Sequence, residues 1–191
     1  MIKNKLIKIK KKLIKYKIDG YIIPKNDEFF SEYVKFDRLK IISNFDGSAG
    51  LAVILKNKNY LFVDGRYTLQ ANRQSGKFFK IITIPDQMPN DILKGKKISI
   101  GFDPKLLTKK FLSTFFRKNK CKYKPITSNL IDKIWKRKII KKKIKKLKLP
   151  NSSVSEGYQS KINKISKYLK NKKAEFLFIT ASENNAWLLN I

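Results

Sequence analysis

Two aspartates stand where carboxylates could hold a divalent cation. Asp64 closes the apolar run Tyr60-Leu61-Phe62-Val63, and Asp103 follows Ile98-Ser99-Ile100-Gly101-Phe102. Paired carboxylates at strand ends are the start of a nuclease-type Mg²⁺ site, but such a site needs at least a third acid nearby. Both residues also stand where a helix would begin, and each can accept from the free N–H groups of a first turn. Arg38, Arg66 and Tyr67 are the other polar candidates, able to face a cleft or a partner, with a structural role as the plainer reading. Asp46-Gly47-Ser48-Ala49-Gly50 lacks the spacing and the lysine of a phosphate loop and reads as a turn. The chain has no histidine, which removes every histidine-based triad and metal site. Cys121 is its single cysteine, so an internal disulfide and a Cys/His zinc cluster are also excluded.

The elements that must position these residues are densest between Arg38 and Gln74. Two glycines in the Phe45–Gly50 turn permit positive φ and lead into the apolar run Leu51 to Leu55. Lys56-Asn57-Lys58-Asn59 is a connection of hairpin length, and Tyr60 to Val63 is a second strand, so the two pair antiparallel. Asp64 then caps a helix entered through Gly65 to Thr68 and continued by Leu69 and Ala71.

Before this hairpin, Ile2, Leu6, Ile9, Leu13 and Tyr16 recur at alternating spacings of four and three, one face of a helix with lysines around the rest. The plain reading is a surface helix docked on a sheet; an interfacial membrane helix is the alternative, and it lacks Trp and Phe. Tyr21-Ile22-Ile23 is a short strand closed by Pro24, and Asn26 or Asp27 caps a short helix through Tyr33. After the hairpin, strands are expected over 78–84, 98–102 and 122–126, with a helix from Lys105 to Arg117 opened by Asp103-Pro104. Ser128 caps a short helix carrying Leu130, Ile131, Ile134 and Trp135. Residues 136–148, KRKIIKKKIKKLK, read as a solvated helical connector, with RNA or acidic-membrane contact as the alternative. Residues 149–153 form a linker. Beyond it lie a helix over 155–169, a buried strand over 176–180 and a helix start over 182–189.

Strands separated by helices, with one hairpin, predict an α/β fold: a mixed sheet of about six strands flanked by helices, followed by the start of a second α/β domain. The domain division is 1–135, a basic connector and linker over 136–154, and an incomplete second domain over 155–191.

Arg38 through Gly50, Val63-Asp64-Gly65-Arg66-Tyr67 and Leu69-Gln70-Ala71 together resemble the creatinase N-terminal domain as it occurs in Xaa-Pro aminopeptidases (aminopeptidase P). Three further islands fall in the family's order. They are Tyr21-Ile22-Ile23-Pro24 with Ser31-Glu32-Tyr33, Gly101-Phe102-Asp103-Pro104, and Asn129 through Trp135. Ala186-Trp187-Leu188-Leu189-Asn190 resembles a motif early in the second domain of long family members. The chain departs at Phe29, where the family commonly has histidine, and at Asn44, where it commonly has glycine.

The resemblance implies a ribonuclease-H-like α/β first domain that covers the catalytic cleft and contributes dimer contacts. It also implies a peptidase that releases an N-terminal residue preceding proline. Its two divalent metals, usually Mn²⁺, sit in a C-terminal pita-bread domain supplying two Asp, one His and two Glu. That domain is absent here, so no catalytic, cofactor-binding or metal residue is assigned, and no cofactor is expected for this chain alone. The expected partners are the protein's own catalytic domain and a second copy, with peptide substrate engaged only by the full-length enzyme.

The formal net charge of +31, from 45 Lys+Arg against 14 Asp+Glu, suggests a polyanion partner. Only five of these basic residues are arginine (Arg38, Arg66, Arg73, Arg117, Arg137), the residue that reads phosphates and base edges through its planar fork. The field therefore supports salt-sensitive, non-specific adsorption, not specific nucleic-acid binding. The lysine-studded amino terminus is no signal peptide, and no apolar run approaches the ~20 residues of a membrane span. A cytoplasmic protein without a membrane partner is expected. The alternative to the N-terminal part of an Xaa-Pro aminopeptidase is a free-standing, non-catalytic basic binding module for nucleic acid or protein.

Overall fold

The computed structural model describes residues 2–31, 34, 36–116, 119–135 and 149–191. The chain divides into two compact units, Met1–Glu28 with Glu32–Lys138 and Phe29–Ser31 with Ile139–Ile191. The basic segment 136–148 and the end of the Ser31-Glu32-Tyr33 island lie outside the described residues.

The first unit is a mixed sheet with helices on both faces. Helix α1 (Ile2–Lys15) buries Ile2, Leu6, Ile9 and Leu13, the residues its four-and-three spacing placed on one face. Each such burial contributes about 1.5–3 kcal/mol, which outweighs the modest helix propensity of isoleucine and the mutual repulsion of the lysines. The six strands are β1 (Gly20–Pro24), β2 (Leu51–Leu55), β3 (Asn59–Asp64), β4 (Lys80–Ile84), β5 (Ser99–Phe102) and β6 (Lys122–Pro125), in the order β4-β3-β2-β1-β5-β6. The predicted hairpin is present, with Leu51 opposite Phe62 and Val53 opposite Tyr60. β1 pairs antiparallel with β2, while β3–β4, β1–β5 and β5–β6 are parallel.

Side chains alternate across the sheet as the strand period requires. Tyr21, Ile23, Ala52, Ile54, Leu61 and Val63 pack with α1, α2 (Arg38–Ser43) and α3 (Thr68–Ser75). Ile22, Val53, Phe62 and Ile100 face the other way, onto Leu93 of α4 (Pro89–Leu93) and Phe116 of α5 (Lys109–Phe116). No helix among the described residues is long and apolar enough to cross a membrane.

Several local expectations are corrected. Helices α2 and α4 are too short for a periodic signal, and they form because caps and core contacts hold them. In α2, Asp37 accepts from the Lys40 backbone N–H at 2.8 Å, and Asn44 ends the helix in the left-handed region at φ 67°. Asparagine tolerates that conformation better than most residues, which is the physical reason it can stand where glycine is common. Gly47 and Gly50 do not use positive φ; the left-handed glycine is Gly95. What Gly47 provides is room: a Cβ there would lie 2.3 Å from the Phe45 ring and 2.9 Å from Tyr67.

Among residues 26–31 there is a turn in place of a helix, and the Asn26 amide donates to the carbonyls of Asp27 and Leu106. The helix expected from Lys105 begins only at Lys109, because Leu106 and Leu107 dip into the core; Thr108 then accepts from the Phe111 N–H at 3.1 Å. Residues 130–134 form turns in place of the helix expected to be capped by Ser128; Asn129 Oδ1 accepts from the Ile131 N–H at 2.9 Å.

The second unit carries a 3₁₀ turn (Asn151–Ser153), α6 (Tyr158–Asn171) and α7 (Ser182–Leu189). Lys161 is buried there and donates to the Trp187 carbonyl at 2.6 Å and to Asn190 Oδ1 at 2.7 Å, with its ammonium 4.1 Å from the Trp187 ring centroid. A cation at the orphan carbonyls of a helix C-terminus is favourable. Residues 176–180, expected as a strand, belong to no ladder; no described strand of this unit is available to pair with them. Phe176 and Phe178 are 80% and 83% exposed.

Candidate functional site

β1, β3 and β5 run in the same direction, so Pro24, Asp64 and Asp103 lie at one end of the sheet, where the turn before β2 also sits. The carboxyl ends of parallel strands are the usual place for ligands in open α/β sheets. Two polar groupings occupy this end.

The first joins the residues that carried the resemblance. Ser48 Oγ and Tyr67 Oη are 2.8 Å apart, and the Tyr67 ring meets Phe45 edge-on at 5.9 Å between centroids. Asp46 accepts from Gln74 Nε2 at 2.6 Å and Gln70 Nε2 at 2.7 Å on α3. The Gln74 hydrogen bond is the main cause that holds the Asp46 carboxyl below its ordinary range, helped by Gln70 and Lys40. Asp64 accepts from the Arg66 backbone N–H at 3.0 Å and from Arg66 Nε at 2.9 Å, and that pairing lowers its pKa while raising that of Arg66. It is therefore a cap, as expected, though of a 3₁₀ turn (Gly65–Tyr67) that leads into α3. The Arg66 side chain is 76% exposed and its guanidinium carbon lies 5.7 Å from the Tyr67 ring centroid. Beside this surface an apolar groove of about 210 Å³ runs past Gly50, Phe62, Asp64 and the stacked pair Phe111 and Phe115.

The second grouping is buried. Arg38 is 1% exposed and grips Asp132 with a fork, Nε to Oδ1 at 3.0 Å and Nη2 to Oδ2 at 2.9 Å, while Nη2 also donates to Glu28 at 2.5 Å. Burial opposes the charged guanidinium, but the two carboxylates more than compensate and raise its pKa. Asp103, 3% exposed, accepts from Asn129 Nδ2 at 2.8 Å and from the Lys105 N–H at 2.9 Å. Burial pushes the nearby Tyr21 hydroxyl well up.

Arg38, one of the three polar candidates, is thus internal, whereas Arg66 is exposed and Tyr67 is half-buried, its ring packed against the core at Phe45. Phe29, 56% exposed, belongs to the second unit. The partners of Arg38 were not visible in sequence: Asp132 stands in a motif island, but nothing local pairs it with a residue 94 positions earlier.

Asp64 and Asp103 cannot share an ion. Their strands, β3 and β5, are three places apart in the sheet, so at ~4.8 Å per place the carboxylates are separated by about 14 Å, against metal–oxygen distances of about 2–2.6 Å. Among the described residues no three His, Cys, Asp or Glu side chains cluster as metal ligands. The donors present do not fit a divalent-metal centre, because both strand-end carboxylates are spent on capping N–H groups and on Arg66 or Asn129. The arrangement can offer contact surface: an exposed guanidinium, two hydroxyls and an apolar groove. We expect Asp64→Ala to lower the urea midpoint while leaving stability indifferent to Mg²⁺. A wild-type midpoint that rises with Mg²⁺, and a variant that loses the rise, would restore the nuclease reading.

Residues 5–134 match the creatinase/prolidase N-terminal domain family, and the chain belongs to it. The relatives it resembles place it on the Xaa-Pro aminopeptidase P side of that family. It is 32% identical over 208 residues to the probable Xaa-Pro aminopeptidase P of Laccaria bicolor, covering 98% of this chain and 31% of that protein. The X-prolyl aminopeptidase of Caenorhabditis elegans, described as a cytosolic enzyme with a di-nuclear active site, is 26% identical with a TM-score of 0.84 over 100% of this chain and 34% of its own. The N-terminal domain of the cytoplasmic peptidase PepQ from Mycobacterium tuberculosis, 16% identical, shares the fold at a TM-score of 0.54 over 69% of this chain and 98% of its own. The chain spans about a third of the length of the first two relatives.

Proposed function

We propose that this chain is the non-catalytic N-terminal part of a cytoplasmic Xaa-Pro aminopeptidase, covering one side of the catalytic cleft and contributing dimer contacts. The observation that supports it best is the likeness to the C. elegans enzyme over the whole of this chain, second unit included. In this reading residues 1–135 form the creatinase-like domain, 136–154 the connector, and 155–191 the beginning of a second creatinase-like domain. Arg66, Tyr67 and the Phe111–Phe115 groove are the surface presented to a cleft or a partner. No residue here is assigned a catalytic, cofactor or metal role. The two Mn²⁺ ions and the peptide substrate belong to a pita-bread domain that this sequence does not contain.

The purified chain is expected not to hydrolyse an Xaa-Pro peptide in excess Mn²⁺. Turnover above buffer that survives repurification would overturn the assignment. The cleft-covering role is tested by a chimera in which this chain replaces the matching third of the C. elegans enzyme. Arg66→Ala and Tyr67→Ala in the chimera should raise KM for an Xaa-Pro peptide, whereas unchanged kinetics in an active chimera would assign this surface no role at the cleft.

A further inference from the structure

The chain leaves the first unit after Glu28, spends Phe29 to Ser31 in the second, and then returns to the first. Both ends of this excursion are fastened. On the near side Glu28 accepts from Arg38 Nη2 at 2.5 Å, and the buried Arg38 is itself fixed by its fork on Asp132. On the far side Ser31, 6% exposed, donates from its hydroxyl to Oε1 of Glu183 at 2.5 Å, in the first turn of α7. Between the two anchors lie Phe29 and Phe30. We propose that residues 28–31 are a strap that couples the order of α7, in the second unit, to the Arg38–Glu28 pair of the first.

The backbone of the strap is held against its own preference. Phe30 has φ 58°, the left-handed region, in which the Cβ of a bulky residue crowds a carbonyl oxygen. A conformation of this kind persists where its surroundings impose it. Neither ring is buried, with Phe29 56% and Phe30 47% exposed, so the polar anchors on either side do the holding. The span is also short: four residues reach about 11 Å at full extension, and a turn at Glu28 and Phe29 takes up part of that. Displacement of one anchor therefore reaches the other. Helix α7 is suited to respond, because it buries none of its residues and Ala181 gives it no side-chain cap. Its carboxyl end is fixed separately, by Lys161 on the Trp187 carbonyl and on Asn190, which leaves the Glu183 end to the strap. Coupling of this kind is reciprocal, so whatever orders α7 also favours the Arg38–Glu28 pair.

The test is amide exchange of the whole chain read by mass spectrometry, comparing peptides of α7 with peptides of β2. Ser31→Ala should speed exchange in α7 by about tenfold and leave β2 unchanged. Glu28→Gln lies in the other unit and leaves Arg38 its fork on Asp132, yet it too should speed α7 by about threefold or more without moving β2. The double variant Glu28→Gln/Ser31→Ala should be no faster in α7 than the faster single variant, since both cut the same strap. Asp64→Ala removes a cap from the first unit without touching the strap, and should leave α7 as it is. An α7 that ignores Glu28→Gln would confine the Ser31–Glu183 contact to the second unit and overturn the proposal, as would single effects that multiply in the double variant. Equal acceleration by Asp64→Ala would attribute the response to general loosening of the first unit and overturn it as well. None of these readouts involves peptidase activity, so their failure leaves the aminopeptidase reading untouched.

Discussion

Arg38→Ala is expected to lower the unfolding free energy of the first unit by ~2–4 kcal/mol, the largest single-residue loss we anticipate outside the apolar core. Removing one member of a buried ion pair costs about 3–5 kcal/mol because the partner charge stays desolvated. The figure is set lower here because Asp132 and Glu28 keep 30% and 37% of their side chains in solvent. Three segments distant in sequence are joined at this residue: the turn after β1 through Glu28, the start of α2, and the turn at 129–132. Arg38→Lys should recover only part of the loss, since an ammonium cannot make the two parallel bonds that the guanidinium makes to Asp132. Arg38→Met/Asp132→Asn should recover part of the loss of Arg38→Met, because it also removes the half-buried carboxylate charge that the guanidinium fork offsets. Urea denaturation followed by tryptophan fluorescence and circular dichroism measures all of these. A change below ~0.5 kcal/mol for Arg38→Ala, the range of an ordinary surface substitution, would show that the buried fork is not a principal support of the fold.

Amide exchange should separate the two units by a wider margin. The N–H groups of β2 sit between β1 and β3, and open only with the first unit as a whole. Those of Phe176 to Ile179 make no ladder bond among the described residues, and Phe176 and Phe178 stand largely in water. Local opening free energies run from near zero to the global value, about 5 kcal/mol or more for a typical domain, so exchange at 176–179 should be faster by a factor on the order of 10³ or more. Exchange read by mass spectrometry at two protein concentrations decides the matter. Protection of 176–179 at both concentrations would mean that the segment is paired within the chain. Protection that appears only at the higher one would mean that a second copy completes it, the liability that an unpaired extended apolar segment carries.

Sequence by itself determined whatever depends on neighbours a few positions away. Spacings of four and three placed Ile2, Leu6, Ile9 and Leu13 on the buried face of α1, because side chains three and four apart share a helix face. Alternating apolar runs and a polar connection of hairpin length located β2 and β3. Asp64 was legible as a cap because an aspartate after an apolar strand has N–H groups within reach. The lack of histidine ruled out a whole class of chemistry without any coordinates. Only the tertiary structure decided which distant groups meet. The order β4-β3-β2-β1-β5-β6 separates Asp64 from Asp103, though each alone looked like a strand-end carboxylate. Arg38 is internal because Glu28 and Asp132 arrive from either side of it in sequence, and its composition-level neighbours gave no sign of that. Residues 176–180 have the composition of a strand but no ladder, since β structure is a property of a pair of segments whereas helical structure is satisfied within one. The start of α5 moved for a related reason: burial of Leu106 and Leu107 outweighed the local preference for a helix opened at Pro104.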